Sequence, residues 1–171
     1  MPENIFATSQ VIANLDYPAG WTWFSLNLQN EDMSINNLME NMSPSDGDII
    51  RDQVSFSQFV SEYNGEEINE WVGTLTEFDN QSMAMIKLSN ADTLEMVGYA
   101  VDTELDTIEI TSGWNWIGYT PQVSYPVDYA FNSLPSSTGD IVKNQFAYAQ
   151  FVEGLGWIGN LTYLDPNLGY M

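Results

Sequence analysis

The sequence contains no cysteine and no histidine, and only three Lys and Arg residues stand against 24 Asp and Glu, a formal net charge of -21. Each shortage excludes chemistry. Without cysteine there are no disulfides and no thiol nucleophile; without cysteine and histidine there are no zinc sites of the usual kind, no Ser-His-Asp arrangement and no ordinary neutral-pH general base. The charge repels phosphate backbones and anionic bilayers, so neither nucleic acid nor membrane is expected as a partner. Long hydrophobic runs are also missing: none approaches the roughly 20 apolar residues that span a bilayer. The start, Met1 to Thr8, lacks a basic segment, and Asn4, Ser9, Gln10 and Asn14 break up its apolar residues, so no classical secretion signal is expected. What is present is foldable: 44% hydrophobic and 13% aromatic residues in 171, enough for one compact domain or two small ones. The composition points to a binding, adhesive or assembly protein, not an enzyme.

The main feature is an internal repeat. Gly20-Trp21-Thr22-Trp23-Phe24 matches Gly113-Trp114-Asn115-Trp116-Ile117 at an offset of 93. At an offset of 92 the segment Gly47 to Val60 (GDIIRDQVSFSQFV) matches Gly139 to Val152 (GDIVKNQFAYAQFV), seven of fourteen residues being identical. This alignment puts Arg51 opposite Lys143, two of the three basic residues. At an offset of 86, Trp71 to Thr76 matches Trp157 to Thr162 and Met85 matches Met171; the change in offset implies an insertion around Tyr63 to Glu70. Residues 1–19 are then a leader strand, 20–112 unit 1, and 113–171 a truncated unit 2 without a counterpart of Ile86 to Ser112. With no Pro/Gly/Ser-rich spacer between them, the units are expected to pack as one compact body.

Periodicity predicts mostly strands with one short helix per unit, an α+β, predominantly antiparallel β fold of two pseudo-symmetric repeats. Ile35, Leu38, Met39 and Met42 form one apolar helical stripe, repeated as Val127, Ala130, Phe131 and Leu134. Asp32 or Ser34 is the expected cap of the first helix and Pro126 the first-turn residue of the second. Gly47 and Gly139 mark turns into the following strand. Met85 to Leu88 and Thr93 to Val97 read as a hairpin, followed by a strand through Thr107 to Ile110. The leader, Ile5 to Leu15, occupies the place before the first Gly-Trp-x-Trp that this last strand occupies before the second.

Four features could carry chemistry. Trp21 and Trp23, with Trp114 and Trp116, place two indoles on one strand face, an aromatic platform of the kind that stacks on sugar rings; the alternative is that they are core, lying over Gly73, Gly118 or Gly159. Asp102, Glu104 and Asp106 alternate along the chain and could bind Ca²⁺ weakly, but a solvated strand face is the favoured reading, since no EF-hand pattern is present. Arg51 and Lys143 fit a structural ion pair or an interface contact; a catalytic lysine would need a reacting partner that nothing identifies. Carboxylates suffice for glycoside hydrolysis only when arranged across a cleft. No catalytic residue, cofactor or resident metal is expected.

Taken together, Gly113-Trp114-Asn115-Trp116-Ile117-Gly118-Tyr119, Gly139-Asp140-Ile141-Val142-Lys143-Asn144-Gln145, Gly156-Trp157-Ile158-Gly159-Asn160-Leu161 and Gly169-Tyr170-Met171 resemble a tandem repeat of large surface-exposed, adhesin-like proteins of marine and Bacteroidetes-type bacteria and of marine phage structural proteins. The resemblance implies a β-rich module of a cell or particle surface without catalytic residues. In such repeats Gly-Tyr-Met runs on into a strand like Ile86-Lys87-Leu88-Ser89, where this sequence ends. The expected role is a structural and binding protein on a virion surface, as a decoration, capsid- or fibre-associated component that self-assembles or docks on other coat proteins. The contacts are expected at Ile5, Phe6, Leu168, Tyr170 and Met171, with Arg51 and Lys143 in support. The alternative is an extracellular polysaccharide-binding or adhesion module using Trp21, Trp23, Trp114 and Trp116.

Overall fold

The computed structural model describes residues 9–105 and 107–171, so Ile5, Phe6 and Asp106 lie outside the described residues. The chain opens with β1 (Val11–Tyr17), β2 (Gly20–Phe24), β3 (Leu28–Gln29), the single-turn helix α1 (Ile35–Leu38), β4 (Ile49–Arg51), β5 (Phe56–Tyr63), β6 (Glu66–Gly73), β7 (Ala84–Leu88) and β8 (Asp92–Ala100). The second part contains β9 (Tyr125–Pro126), α2 (Val127–Ala130), β10 (Ile141–Lys143), β11 (Tyr148–Val152), β12 (Gly156–Gly159) and β13 (Tyr163–Leu164). Among the described residues every strand pairing is antiparallel, and the fold is β-rich with two short helices. No helix among the described residues is long and apolar enough to cross a membrane.

Unit 1 is built from two sheets. One has the order β2-β7-β4-β5-β6 and the other β1-β8-β3. The period of two explains their packing: β7 buries Ala84, Ile86 and Leu88 and exposes Lys87, while β8 buries Leu94 and Met96 and exposes Glu95. Ile50, Ile86 and Leu88 of the first sheet share one core with Tyr17, Leu28, Leu94 and Met96 of the second. Each such side chain contributes about 1.5–3 kcal/mol by leaving water. Unit 2 repeats the pattern on a smaller scale, with β10-β11-β12 in one sheet and β9 paired to β13. Its core gathers Tyr119, Val127, Val142, Ala149, Leu161, Leu164 and Tyr170.

The insertion in unit 1 lengthens the β5–β6 hairpin. Asn64 and Gly65, with φ of 55° and 85°, make its turn, where two successive positive φ values suit Asn-Gly. Gly47 and Gly139, with φ of 90° and 107°, turn the chain into β4 and β10 at matching positions.

Several expectations are corrected. Residues 85–97 are not a hairpin: β7 pairs with β2 and β4, whereas β8 pairs with β1 and β3. The turn after Leu88 carries the chain from one sheet to the other, because both strands bury alternate residues in the same core and therefore face each other instead of sharing an edge. Thr107 to Ile110 forms no strand. In unit 1 the corresponding strand β1 is held by β8. The helical stripe is real in burial, with Ile35, Leu38, Met39 and Met42 all in the core, yet only one turn is helical. Ser34 occupies the cap position of α1 without a side-chain capping bond; Asp32 instead accepts the Ser34 N–H at 2.9 Å, and Ile35 donates to the Thr76 carbonyl. Pro126 stands one place before the first turn of α2, at its cap position.

Gly73 and Gly159 allow close backbone approach. A Cβ on Gly73 would lie 2.2 Å from the Phe56 carbonyl oxygen, and on Gly159 2.1 Å from that of Tyr148. Gly73→Ala is accordingly expected to cost about 1–3 kcal/mol, since backbone must shift to admit the methyl. A lowered urea midpoint at unchanged slope is the readout; an unaltered midpoint would show that the strands do not approach so closely.

Candidate interaction site

The residues that the repeat duplicates meet across the boundary between the units. The Gln53 side-chain amide donates to the Trp114 carbonyl at 3.0 Å and accepts the Trp116 N–H at 3.2 Å. Gln145 does the same in return, donating to the Trp21 carbonyl at 2.8 Å and accepting the Trp23 N–H at 3.0 Å. A glutamine suits this task because its amide offers a donor and an acceptor together, as a peptide group does. A tight turn supports each one: the Asp52 side chain accepts the N–H groups of Val54 and Ser55, and the Asn144 side chain those of Phe146 and Ala147.

The two aligned cations complete the exchange. Arg51 lies over the Trp116 ring with its guanidinium carbon 5.2 Å from the ring centre, and the Lys143 ammonium lies 5.5 Å from that of Trp23 and 4.8 Å from that of Trp114. Aromatic faces are thus the neighbours of both basic residues. The backbone follows the same reciprocity, with Ser25 N–H donating to the Asn167 carbonyl and Gly118 N–H to that of Gln81. Position 118 has no room for a side chain, since a Cβ there would lie 2.1 Å from the Asn80 oxygen.

Trp21, Trp23, Trp114 and Trp116 therefore line the seam between the units and belong to neither buried core. Trp21 and Trp114 are 42% and 52% exposed. Trp71 and Trp157 do not extend this row: they pack edge-on against Phe59 and Phe151. Asp102 and Glu104 sit in or beside a turn, not on a strand, with Asp102 accepting the Glu104 N–H. Among the described residues no three acidic side chains gather as a metal site. The roles of Gln53 and Gln145 were not assigned from sequence; the available signal was that both are identical within the longest matched segment.

The edge at residues 168–171 divides into inward and outward parts. Tyr170 is fully buried, packs edge-on against Tyr119 and accepts the Asp165 N–H at 2.7 Å, so its side chain faces the core and is closed to a partner. Leu168 is exposed and Met171 half-buried. Met171 exchanges both backbone hydrogen bonds with Lys143, at 2.9 and 3.0 Å, and Tyr170 bridges Ile117. Beside them opens a groove of about 480 Å³, lined by Gly113, Trp114, Asn115, Asp140, Ile141 and Met171 among others. No family model, curated protein or solved structure matches the chain.

Two outcomes follow from this geometry. Gln145→Ala leaves the Trp23 N–H and the Trp21 carbonyl without their partner, and is expected to cost about 1–3 kcal/mol in urea unfolding followed by tryptophan emission; Gln53→Ala, at a more exposed place, should cost less. Burial pushes Tyr119 and Tyr170 from the ordinary value of 10.0 up to about 12. Both phenols stay protonated in the fold while the unfolded chain ionises, so their contribution is complete below pH 10 and is lost as pH rises from 10 to 12. Denaturation series across that interval, with phenolate absorbance recorded alongside, should show stability falling in step.

Proposed function

We propose that the chain is a non-enzymatic structural and binding protein of a particle or cell surface and, in its finer form, a phage virion component that decorates a capsid or fibre by docking on other coat proteins. The observation that carries this reading is the repeat itself, whose two copies interlock through Gln53 and Gln145 in an antiparallel β-rich fold, the build of a structural module. The net charge of -21 adds support, because it discourages indiscriminate adhesion and leaves a dedicated contact as the means of attachment. The repeat motifs, which resemble those of surface-exposed adhesin-like and phage structural proteins, support the location.

The exposed edges of Trp21 and Trp114 favour one other reading, a carbohydrate-binding module at a cell surface. Against it, Lys143 already lies over one face of the Trp114 ring, so a sugar stacking on that face would have to displace the cation.

Immunoblotting of density-banded particles and of cell-envelope fractions from the source culture tests the proposal. The chain should band with particles at fixed stoichiometry. Recovery only in the soluble fraction would overturn it, and a polysaccharide-dependent change in tryptophan emission that disappears in Trp114→Ala would transfer the assignment to the carbohydrate reading.

A further inference from the structure

We propose that copies of this chain associate face to back, the outward face of the sheet β2-β7-β4-β5-β6 of one copy docking on the outward face of the sheet β1-β8-β3 of the next. This goes beyond the role proposed above and stands whether or not the protein belongs to a particle, because it concerns contacts between copies alone.

The distribution of charge carries the proposal. Strand register lays out the outward side of the first sheet in rows. Val72, Gln58, Ile49, Lys87 and Trp21 follow one another across the strands, and Phe56, Arg51, Met85 and Trp23 make the row beside them. Neither row contains a carboxylate; Glu70, opposite Val60, stands in the next one. Lys143 reaches the same side from unit 2, its ammonium 5.5 Å from the centre of the Trp23 ring. All three basic residues of the sequence therefore share one face with the exposed side chains of Trp21, Phe56 and Val72. Aromatic, Met and Arg side chains in the absence of acids are the composition of a protein interface and not of a solvated sheet.

The opposite side of the sandwich carries the complement. The two sheets of unit 1 bury their inner sides in one core, so their outer sides point in opposite directions. On β1 and β8 the outward pairs are Ile12 with Val97, Asn14 with Glu95 and Asp16 with Thr93. Ile12 and Glu95 are exposed, and one oxygen of the Asp16 carboxylate accepts the Thr93 hydroxyl at 2.7 Å. No basic residue lies here, since all three are on the other face. Because β7 and β8 face each other across the core, a copy displaced along that direction brings Lys87 of β7 toward Glu95 of β8. Trp21 and Phe56 on one side and Ile12 and Val97 on the other exclude water around the charges, which strengthens their attraction. The contact joins two different patches, so it does not close on itself and every copy offers both.

The net charge of -21 opposes the approach of any two copies. That field falls off over about 8 Å at about 0.15 M salt and about 30 Å at about 0.01 M, whereas charges held in contact are screened much less. A face that carries every cation is where two such chains can meet. Association is accordingly expected to strengthen from the lower to the higher salt concentration, the reverse of what an exposed ion pair alone shows.

Sedimentation velocity over a concentration series of the full chain tests this. At about 0.15 M salt the chain should form a ladder of species beyond the dimer, reduced at about 0.01 M. Lys87→Glu and Glu95→Lys, at exposed mid-strand positions and checked for folding by circular dichroism, should each weaken association about tenfold or more, because like charges then meet. An equimolar mixture of the two variants should recover it, since each contact again pairs a carboxylate with an ammonium. A chain monomeric throughout overturns the proposal, and failure of the mixture to recover association overturns the pairing of these two faces. A dimer that grows no further and ignores Glu95→Lys shows like faces meeting and overturns the face-to-back arrangement. Monomers that bind labelled polyglutamate in a Lys87-dependent way transfer the cationic face to an acidic partner of another kind. Self-association of a chain absent from particles and envelopes would leave this inference standing and sink the functional reading alone.

Discussion

Each unit lends the other one glutamine amide that satisfies its Gly-Trp-x-Trp backbone, and bonds such as Ser25 N–H to the Asn167 carbonyl and Gly118 N–H to that of Gln81 join the exchange. Gln53 binds the extended backbone of Trp114 to Trp116 and Gln145 that of β2, each on a side where a neighbouring strand would otherwise lie. A side chain in that place satisfies the strand and ends the sheet, so the two units interlock without merging into one continuous sheet. Partly buried polar groups cost free energy when left unpaired, which ties the orientation of the Asp52 and Asn144 turns to the position of the partner unit's strand.

The same exchange accounts for the placement of the scarce cations. In a field of -21, a lysine or arginine has carboxylates available at almost any surface position. Arg51 and Lys143 lie instead on indole faces at the seam, where aromatic rings attract a cation and the hydrocarbon stems cover apolar surface. This gives the paired tryptophans a structural function whatever ligand the protein meets, and it explains why both the indoles and the cations recur in the repeat.

The difference between the units is a difference in strand count. Unit 1 has β7 and β8, which hold β1, β2, β3 and β4 in two facing sheets. In unit 2, Tyr170 and Met171 take the places of Ala84 and Met85. Its core is smaller, the stretch from Thr107 to Ile110 stays outside any sheet, and Asp140 is exposed where Asp48 is buried.

The sequence by itself determined what depends on neighbours along the chain: the alternation of β7 and β8, the positive-φ glycines at positions 47 and 139, the buried faces of the short helices, the hairpin insertion and the existence of two matched units. Only the tertiary structure decided which sheet each strand joins and which unit each repeated side chain serves. Periodicity shows that β7 and β8 each have one buried face, but two such strands can share an edge or face each other across a core, and the local pattern is identical in both cases. The glutamine contacts join residues up to 124 apart. A contact of that range leaves no local signature, because its energy is realised only when both units are folded and brought together.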